Sequence, residues 1–436
     1  MTRSSFAAQL LVAGALALAG TGPAAAKEQV VLAVPTFLTG AGAPAFGVPA
    51  RNGVEVVVQA INDGTLPAPY DSKGFAGVPV QLEVYDESGG NTKQVTEFRN
   101  KVQKQNVDLF VGFTSSGTCQ AVTPVAEELK ALTIFAVCGT QRVFEELDTD
   151  PKYVFRTMSH ATSDQVAAAL YVKAKFPGVK GYTGLNQNYA WGQDSWRDFD
   201  LAMQVIAPEA KASEKLQWPK IFAGQYGAEV SALLLSEEEL VHTSFWGGDL
   251  EAFIFQASPR GLFEKKKVLF TVAGTAVYRL GKKMPQGVVL GSRGPYGIFA
   301  AEKDDPLNKW FRQAYVDRFG TNPTGPSYQY AQGVLAAKFG YDKAAAANGG
   351  QFPSTEQVIA AMEGQKIPSF TTTVNLALNK GHQAITDHAY GVVKWDAEAG
   401  EPKMVDVVSF AAECVNPPDG VNSVDWIKGG MKGAKC

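Results

Sequence analysis

A run of hydroxyl side chains at residues 114–118 (TSSGT) is the part of this chain best suited to bind an anion. It follows an apolar run, 107–113, and leads into a segment with helical character. The first N–H groups of a helix lack partners within the helix, so together with the hydroxyls of Ser115 and Ser116 they can hold a carboxylate. We expect no negative side chain near this loop. A serine-rich helix cap without a ligand is the alternative interpretation.

Pro124 indicates where the helix after this loop begins. Proline is tolerated in the first turn of a helix and disrupts a helix interior. We therefore predict a helix over 123–132 that starts close to the hydroxyl cluster. The next predicted strand, 133–137, leads into a second candidate ligand loop. The residues of that loop are Cys138, Gly139 and Thr140.

The four cysteines form two groups in the sequence, Cys119 with Cys138 and Cys414 with Cys436. In an exported protein an even count predicts disulfides, with three possible pairings. Pairing within each group closes loops of about 20 residues, each worth on the order of 3 kcal/mol. A bond between Cys119 and Cys138 would also hold both candidate loops rigid and so lower the ordering cost of binding. A metal site is disfavoured, because there is no CxxC spacing and no histidine close to any cysteine.

Aromatic residues follow two predicted strands in the second half of the chain. Tyr189 and Trp191 come after the strand 181–185, and Trp246 lies at the end of the strand 243–246, with Asp249 close behind it. A single aromatic residue at a strand end can equally belong to the core. Their joint position at the ligand-binding edge of two strands favours a pocket lined by aromatic rings.

Motifs for catalysis or cofactor binding are weak or absent. The sequence has no GxSxG, HExxH or P-loop motif, and its four histidines are dispersed. The segment from Gly40 to Ala45 matches the loose dinucleotide pattern, but Asp86 follows about 44 residues on, whereas the pattern requires about 20. We therefore expect no enzyme activity, no cofactor and no metal. A secreted hydrolase is the alternative from a different class.

The N-terminus has the pattern of an export signal. Arg3 precedes an apolar run over 7–20, and three alanines end at Ala26. The run is short for a membrane span, which needs roughly 20 apolar residues. We predict cleavage after Ala26, and no lipid anchor, since no cysteine precedes Cys119. Removing 26 of the 436 residues leaves 410, enough for two lobes that each have a core.

The charge balance argues against nucleic acid as a partner. The formal net charge is −3, and loss of Arg3 makes the mature chain −4. Lysines and arginines are scattered, apart from the run at 265–267. Nucleic-acid binding proteins instead carry a clustered basic face.

Strands and helices alternate along the mature chain, which is the pattern of a mostly parallel α/β sheet. The pattern restarts near residue 160, so the sequence predicts two α/β units. The predicted strands are 30–34, 80–85, 107–113, 133–137, 181–185, 243–246 and 268–272. The predicted helices are 52–61, 91–105, 123–132, 164–176, 194–205, 231–240, 250–258, 308–319 and 329–347. We expect the tail, 414–436, to be a loop held only by its disulfide.

The order and spacing of several segments between residues 27 and 396 resemble the leucine/isoleucine/valine-binding protein family of periplasmic solute receptors. The segments are RNGVEVVVQAIND at 51–63, VGFTSSGTCQAVTPVAEEL at 111–129, FRTMSHATSDQ at 155–165, NYAWGQD at 188–194 and TNPTGPSYQYAQGV at 321–334.

The resemblance implies two Rossmann-like lobes with parallel-sheet cores, joined by a hinge of three crossovers that lets them close on a ligand. The crossovers are expected near 156–159, 291–296 and 371–379. The first lobe would then comprise 27–157 and 292–371. The second lobe would comprise 158–291 and 372–436.

The resemblance also assigns candidate ligand positions. Ser116, Cys138 and Thr140 match positions that bind the backbone groups of an amino acid, and Phe46 matches an aromatic that lines the pocket. Trp191 and Asp249 match positions in the second lobe where amino-acid binders carry tyrosine. Ala273 occupies the position where an acidic residue would pair with the ligand ammonium group. The full candidate set is Phe46, Ser115, Ser116, Cys138, Gly139, Thr140, Tyr189, Trp191, Trp246, Asp249 and Ala273.

An unpaired ammonium group in a closed cleft would be costly. Asp249 could replace the missing carboxylate, and otherwise the pocket would suit an aromatic or other carboxylate without an amine. The resemblance thus implies a monomeric periplasmic receptor that delivers a small carboxylate to an ABC permease in the inner membrane. A receptor that signals to a membrane sensor is the alternative, and amino acids, aromatic acids, amides and dicarboxylates all remain open as ligands.

Overall fold

The computed structural model describes residues 27–301 and 303–436. The predicted signal peptide and its cleavage site lie outside these residues. Within the described ranges, no helix is long and apolar enough to cross a membrane.

Fifteen strands are present in the described chain. In chain order they are β1 Val30–Thr36, β2 Val80–Asp86, β3 Leu109–Gly112, β4 Thr133–Phe135, β5 Val154–Arg156, β6 Gly181–Gly184, β7 Lys211–Ala212, β8 Leu240–Thr243, β9 Lys267–Phe270, β10 Val289–Gly291, β11 Lys366–Pro368, β12 Thr373–Leu378, β13 Gln383–Ile385, β14 His388–Asp396 and β15 Glu401–Phe410.

Fourteen α-helices accompany them in the same residues. They are α1 Val48–Asp63, α2 Asn91–Lys104, α3 Ser116–Glu128, α4 Ala161–Lys175, α5 Ala190–Ile206, α6 Gly227–Leu235, α7 Gly247–Ala257, α8 Leu262–Lys265, α9 Val277–Leu280, α10 Pro306–Phe319, α11 Gly325–Ala347, α12 Thr355–Met362, α13 Ala412–Val415 and α14 Ser423–Lys428.

The strands form two sheets, each with a parallel core. The first has the order β11-β12-β13-β5-β4-β3-β1-β2, and the second has the order β15-β14-β10-β9-β8-β6-β7. All seven residues of β1 are buried, as expected for a continuous apolar strand covered by helices on both faces. The predicted α/β class with two sheets is confirmed. We call the first sheet with its helices the first lobe, and the second sheet with its helices the second lobe.

The chain passes between the two sheets three times. The first passage begins after Arg156 and the second after Gly291, at the positions expected from the sequence. The third comes after Ile385, later than the expected range 371–379, because β12 and β13 still belong to the first sheet. The strand β13 is only three residues long and pairs with β5 through Gln383 and Arg156. So short a strand has no clear sequence pattern.

Helix α3 begins seven residues earlier than predicted, at Ser116. Its N-cap is Ser115, whose Oγ accepts a hydrogen bond from the backbone N–H of Thr118 at 3.5 Å. Pro124 therefore lies inside the helix, and our expectation that it marks the first turn is wrong. The consequence for function is direct, because the free N–H groups of the helix now come from the hydroxyl cluster itself.

The C-terminal segment is held by more than its disulfide, contrary to our expectation. Cys414 is bonded to Cys436, and Cys119 to Cys138, so the pairing is local in both cases. Between the C-terminal pair, α14 buries Trp426 and Ile427 against the core of the second lobe. The side chain of Glu145 in the first lobe accepts hydrogen bonds from Asn422 and Ser423.

Candidate functional site

The predicted ligand loops of both lobes meet at one cleft between the sheets, with an empty volume of about 270 Å³. The first lobe, the second lobe and the second passage between them all contribute to its walls. Its lining residues are Phe46, Thr114, Ser116, Val137, Gly139, Tyr189, Trp191, Trp246, Val272 and Arg293. Six of the eleven candidate residues therefore line the cleft: Phe46, Ser116, Gly139, Tyr189, Trp191 and Trp246.

Ser116 lies at the first turn of α3 and connects the two predicted ligand loops. Its Oγ accepts hydrogen bonds from the backbone N–H groups of Gly139 and Thr140, at 3.1 and 3.2 Å. The hydroxyl proton therefore remains available to donate into the cleft. As first-turn positions of the helix, Ser116 and Gly117 also have backbone N–H groups without partners within the helix. This corner of the cleft presents hydrogen-bond donors to an acceptor group.

A buried carboxylate, Glu87, lies directly behind this loop, so our expectation of no nearby negative charge is wrong. It accepts hydrogen bonds from the backbone N–H groups of Thr114 and Ser115, at 2.7 and 2.8 Å. Burial raises the pKa of Glu87 to about 7, against the lowering effect of these hydrogen bonds. Glu87 thus occupies two of the backbone donors of the loop, and the donors that remain are the N–H groups of the next two residues, Ser116 and Gly117.

Arg293 contributes a buried positive charge to the cleft, and it lies in the second passage between the lobes. Its Nε donates to Asp164 at 3.0 Å and its Nη2 donates to the carbonyl oxygen of Ser159 at 2.9 Å. Its Nη1 donates to the carbonyl oxygen of Val137. A guanidinium has five N–H donors, so two remain for another partner. The guanidinium also lies over the Trp191 ring, 4.8 Å from its centroid.

Asp164 in turn is held by groups of the second lobe. His388 Nε2 lies 3.1 Å from its Oδ1, and the hydroxyl of Tyr390 donates to its backbone oxygen at 2.9 Å. The Asp164 carboxylate is 1% exposed, and it orients Arg293 from behind. This network fixes the guanidinium plane, as a ligand-binding arginine requires.

Aromatic rings form the other walls of the cleft. Trp246 packs against Phe46 with ring centroids 5.3 Å apart, and its indole N–H donates to the hydroxyl of Tyr189 at 2.7 Å. The indole N–H of Trp191 donates to the carbonyl oxygen of Ser244 at 2.9 Å. The polar atoms of these residues are therefore satisfied, and their ring faces remain for the body of a ligand.

Three candidates from the first lobe lie beside the cleft but do not line it. Ser115 caps helix α3, and the sulfur of Cys138 is bonded to Cys119. The hydroxyl of Thr140 donates to Asp194 of helix α5 at 2.7 Å, and Arg142 donates to the same carboxylate at 3.1 Å. Thr140 therefore joins the first lobe to the second.

Two candidates from the second lobe are also displaced from the cleft. Asp249 is 1% exposed, and its Oδ2 accepts hydrogen bonds from Gln187 Nε2 and from the backbone N–H of Phe222, each at 2.6 Å. It stabilises a loop and does not line the cleft. Ala273 is fully buried in the core of the second lobe, and its neighbour Val272 faces the cleft.

The described residues that line the cleft include no aspartate or glutamate. The cleft therefore combines one arginine, one serine hydroxyl and a helix N-terminus with aromatic walls. Its chemistry suits an anionic group attached to a flat apolar body, and it offers no carboxylate to an ammonium group. Within the described residues, no cluster of side chains could hold a metal ion.

The lobes contact each other across the cleft. The backbone N–H of Gly248 in the second lobe donates to the carbonyl oxygen of Ala41 in the first at 2.7 Å. Trp246 of the second lobe packs against Phe37 and Phe46 of the first, with centroids 5.7 and 5.3 Å apart. A ligand in this cleft would be enclosed on both sides.

This fold and cleft define the class of two-lobed binding proteins. More specifically, the chain belongs to the periplasmic binding protein family, whose sequence profile matches residues 29–401. The resemblance drawn from the sequence motifs is thus confirmed. No curated protein sequence matches the chain.

Solved structures with this fold include receptors for different ligands. An ABC-transporter solute-binding protein from Rhodopseudomonas palustris BisB5, in complex with 3,4-dihydroxybenzoic acid, has a TM-score of 0.74 and 17% identity, covering 88% of this chain and 98% of its own. A leucine-binding protein from Thermotoga maritima MSB8 has a TM-score of 0.68 and 17% identity, covering 87% and 98%. An amino-acid ABC-transporter substrate-binding protein from Pseudomonas fluorescens Pf-5 has a TM-score of 0.73 and 18% identity, covering 92% and 99%. At these identities the likeness shows the fold alone.

The sequence interpretation missed Val137, Val272 and Arg293 as cleft residues, and it counted Thr114 among the hydroxyls of the first candidate loop without adding it to the candidate set. Val137 and Val272 directly adjoin candidate positions, so widening each candidate loop by one residue would have found them. The sequence gives a weaker indication that Arg293 belongs to the cleft. It is a charged residue inside the expected second crossover, 291–296, where the chain was expected only to connect the lobes.

Proposed function

We propose that the protein is an exported receptor of an ABC transporter that captures a small aromatic carboxylate without an amino group. The observation that carries this proposal is Arg293, a guanidinium with two free N–H donors in a cleft whose described lining contains no acidic residue. A carboxylate can pair with a guanidinium through two parallel hydrogen bonds. An α-ammonium group would be buried there without a carboxylate, which is strongly unfavourable.

The walls of the cleft favour a ligand with an aromatic ring. The lobes contact each other in this structure, so the empty volume between them, about 270 Å³ including space open to solvent, is narrow. Phe46, Trp191 and Trp246 present ring faces to this volume, and an aromatic ligand can stack on them or meet them edge to face. The complex of the similar R. palustris protein with 3,4-dihydroxybenzoic acid supports the same ligand class.

Export and transport complete the proposal. The receptor would lose residues 1–26 on export, capture its ligand in the periplasm as a monomer and present both closed lobes to a permease. Mass spectrometry of the protein from a periplasmic extract checks the first step, since a mature chain should begin at Lys27. A chain that retains residues 1–26 in that extract would contradict it.

A thermal-shift screen of the mature, disulfide-intact protein tests the ligand class. The panel is benzoate, 4-hydroxybenzoate and 3,4-dihydroxybenzoate, with benzamide as the uncharged match and leucine and phenylalanine as amino acids. A ligand at 100 times its Kd adds about 2.7 kcal/mol of stability. We expect stabilisation by one or more of the acids and none by benzamide or the amino acids. Stabilisation by leucine alone would refute the ligand class, and no response to any compound would argue against a solute receptor.

Arg293→Lys separates the proposed contact from a general effect of charge. Lysine keeps the positive charge but loses the planar fork, so the affinity for the best acid should fall about 10-fold or more. Lys380→Gln, at an exposed position on the protein surface, is the matched control and should leave the affinity unchanged. Equal affinities of wild type and Arg293→Lys would show that Arg293 does not hold the carboxylate.

A further inference from the structure

A second cavity, partly open to solvent, lies at the hinge between the lobes and has a volume of about 220 Å³. We call it the hinge cavity. Its polar wall includes Gln141, Glu145, Arg156, His160 and Gln383, and its apolar wall includes Phe144, Leu378, Pro417 and Val421. None of these residues lines the ligand cleft.

Arg156 is a fully buried cation whose hydrogen-bond partners are all neutral. Its Nε donates to Gln383 Oε1 at 2.6 Å, and its Nη1 donates to the carbonyl oxygens of Cys138 and Thr140 at 3.0 and 2.6 Å. Its Nη2 has no partner among the described residues. The one carboxyl group that the described residues contribute to the cavity wall, Glu145, already accepts hydrogen bonds from Asn422 and Ser423, and burial raises its pKa to about 7, so it is a weak counter-charge to Arg156. A buried charge of this kind normally requires an anion.

Two more side chains of this wall have buried polar atoms without partners in the described chain. His160 is 2% exposed, and neither ring nitrogen makes a hydrogen bond. Gln141 is 2% exposed, and its Oε1 accepts none. Buried polar groups are nearly always paired with protein groups or with a bound molecule, so three such residues around one cavity indicate a site for a hydrogen-bonding occupant. Arg156 and His160 have N–H groups that need a hydrogen-bond acceptor, and Gln141 Oε1 needs a hydrogen-bond donor.

We propose that the hinge cavity is a second binding site, specific for a small carboxylate that also carries a hydroxyl group. The carboxylate accepts hydrogen bonds from Arg156 Nη2 and His160, and the hydroxyl donates to Gln141. The carbon skeleton lies against Phe144 and Leu378. The inference is independent of which solute the ligand cleft binds.

The position of the hinge cavity connects it to the ligand cleft. Arg156 holds the carbonyl oxygens on either side of Gly139, and Gly139 itself faces the ligand cleft. Arg156 and Gln141 belong to the first lobe, whereas His160 is the N-cap of helix α4 in the second. A ligand that bridges them therefore binds best at one angle of the hinge. By linkage, each site changes the affinity of the other by the same factor.

Histidine NMR provides a local readout, because the chain has only four histidines. The mature protein is labelled with 13C at histidine Cε1 and titrated with lactate, with propionate as the match without a hydroxyl. Lactamide is the uncharged match, and sodium chloride at equal ionic strength is the inorganic anion. The His160 resonance is assigned by its absence in His160→Phe. His242, which bonds to Gln165 at 2.7 Å in the second lobe, is the internal control.

We expect lactate to shift the His160 resonance saturably and to leave His242 unchanged. Propionate should bind about 3- to 10-fold more weakly because it lacks one hydrogen bond, and Gln141→Leu should remove that difference. Lactamide and chloride should produce no saturable shift. Val272→Trp, which fills the ligand cleft, should retain the lactate response, and circular dichroism and thermal unfolding confirm that both variants fold.

Three results would overturn the proposal. The first is no saturable shift of His160 with lactate in the folded wild type. The second is the same response to lactamide or chloride as to lactate. The third is a response that stays absent in folded Val272→Trp even at about 150 times the lactate concentration that saturates wild type, because coupling through the hinge typically changes affinity only about 5- to 150-fold. Failure of the aromatic-acid screen alone would leave this site intact, so the two proposals are separable.

Discussion

Substituting Gly139 by alanine should hinder closure of the lobes without weakening either lobe. A Cβ at Gly139 would lie 2.4 Å from Cζ3 and 2.5 Å from Cε3 of Trp191, whereas ordinary contacts begin at 3.4 Å. Relief therefore requires a displacement of about 1 Å between groups on opposite lobes. Trp191 cannot rotate away easily, because its indole N–H is bonded to Ser244 and Arg293 lies over its ring.

The cost of such overpacking is about 1–3 kcal/mol. If it falls on the closed state alone, ligand affinity should decrease about 5- to 150-fold, since every 1.4 kcal/mol is tenfold. Isothermal titration calorimetry with the best acid from the screen measures the affinity, and small-angle scattering of the ligand-saturated protein measures closure. The melting temperature without ligand should stay close to that of wild type, because an open cleft separates Trp191 from residue 139.

Gly178→Ala is the matched control, since Gly178 is exposed and a Cβ there meets no atom within 4 Å. Two results for Gly139→Ala would refute the reasoning. An affinity equal to that of wild type would mean that the Trp191 contact is absent from the bound state. A large loss of stability without ligand would mean that the contact belongs to the fold rather than to closure.

Three further predictions concern residues that support the cleft. Thr140→Val should weaken ligand binding about 2- to 10-fold by removing the hydrogen bond to Asp194 across the lobes, and calorimetry should show no change if that bond is unimportant for closure. Glu87→Gln should alter the pH dependence of stability: because the folded-state pKa of Glu87 is raised to about 7 from 4.5, the wild type should lose stability relative to the variant as pH rises from 4.5 to 7. Thermal melts of both proteins across that range measure this difference, and a constant difference would contradict it. Cys414→Ser with Cys436→Ser should reduce the free energy of unfolding by about 3 kcal/mol yet leave Trp426 buried in native protein, and an exposed tryptophan fluorescence spectrum would show instead that the disulfide alone holds the tail.

The two-sheet architecture was predictable because buried parallel strands have continuous apolar sequences. The run 30–34 is an example, and the whole of β1 is buried. The short strands of the third passage were not predictable in the same way. Only three residues of β13 pair, and they join the first sheet through one partner, Arg156. Tertiary contacts rather than local pattern therefore decide where the third passage lies.

The candidate site was predictable where a local rule applied. Ser116, Gly139, Trp191 and Trp246 all follow strands, and the carboxyl ends of parallel strands meet at one edge. The rule could not separate a ligand contact from a contact between lobes. Thr140 is the clearest example, because its position is correct but its hydroxyl is used by Asp194.

The charges of the site were the property least predictable from the sequence. Both charged residues, Glu87 and Arg293, come from outside the candidate loops. Glu87 directly follows β2, two strands away from β3 in the first sheet, yet its carboxylate reaches the N–H groups of Thr114 and Ser115. Arg293 comes from the second passage. Neither Glu87 nor Arg293 is close in sequence to the residues that it contacts. No rule based on sequence spacing could therefore predict these contacts. The sequence analysis predicted a loop of free donors where the fold has a buried acid, and it left out the one arginine among the described residues that line the cleft. The aromatic walls of the cleft were therefore predictable, whereas the electrostatic selectivity of the site emerges only from the packed lobes.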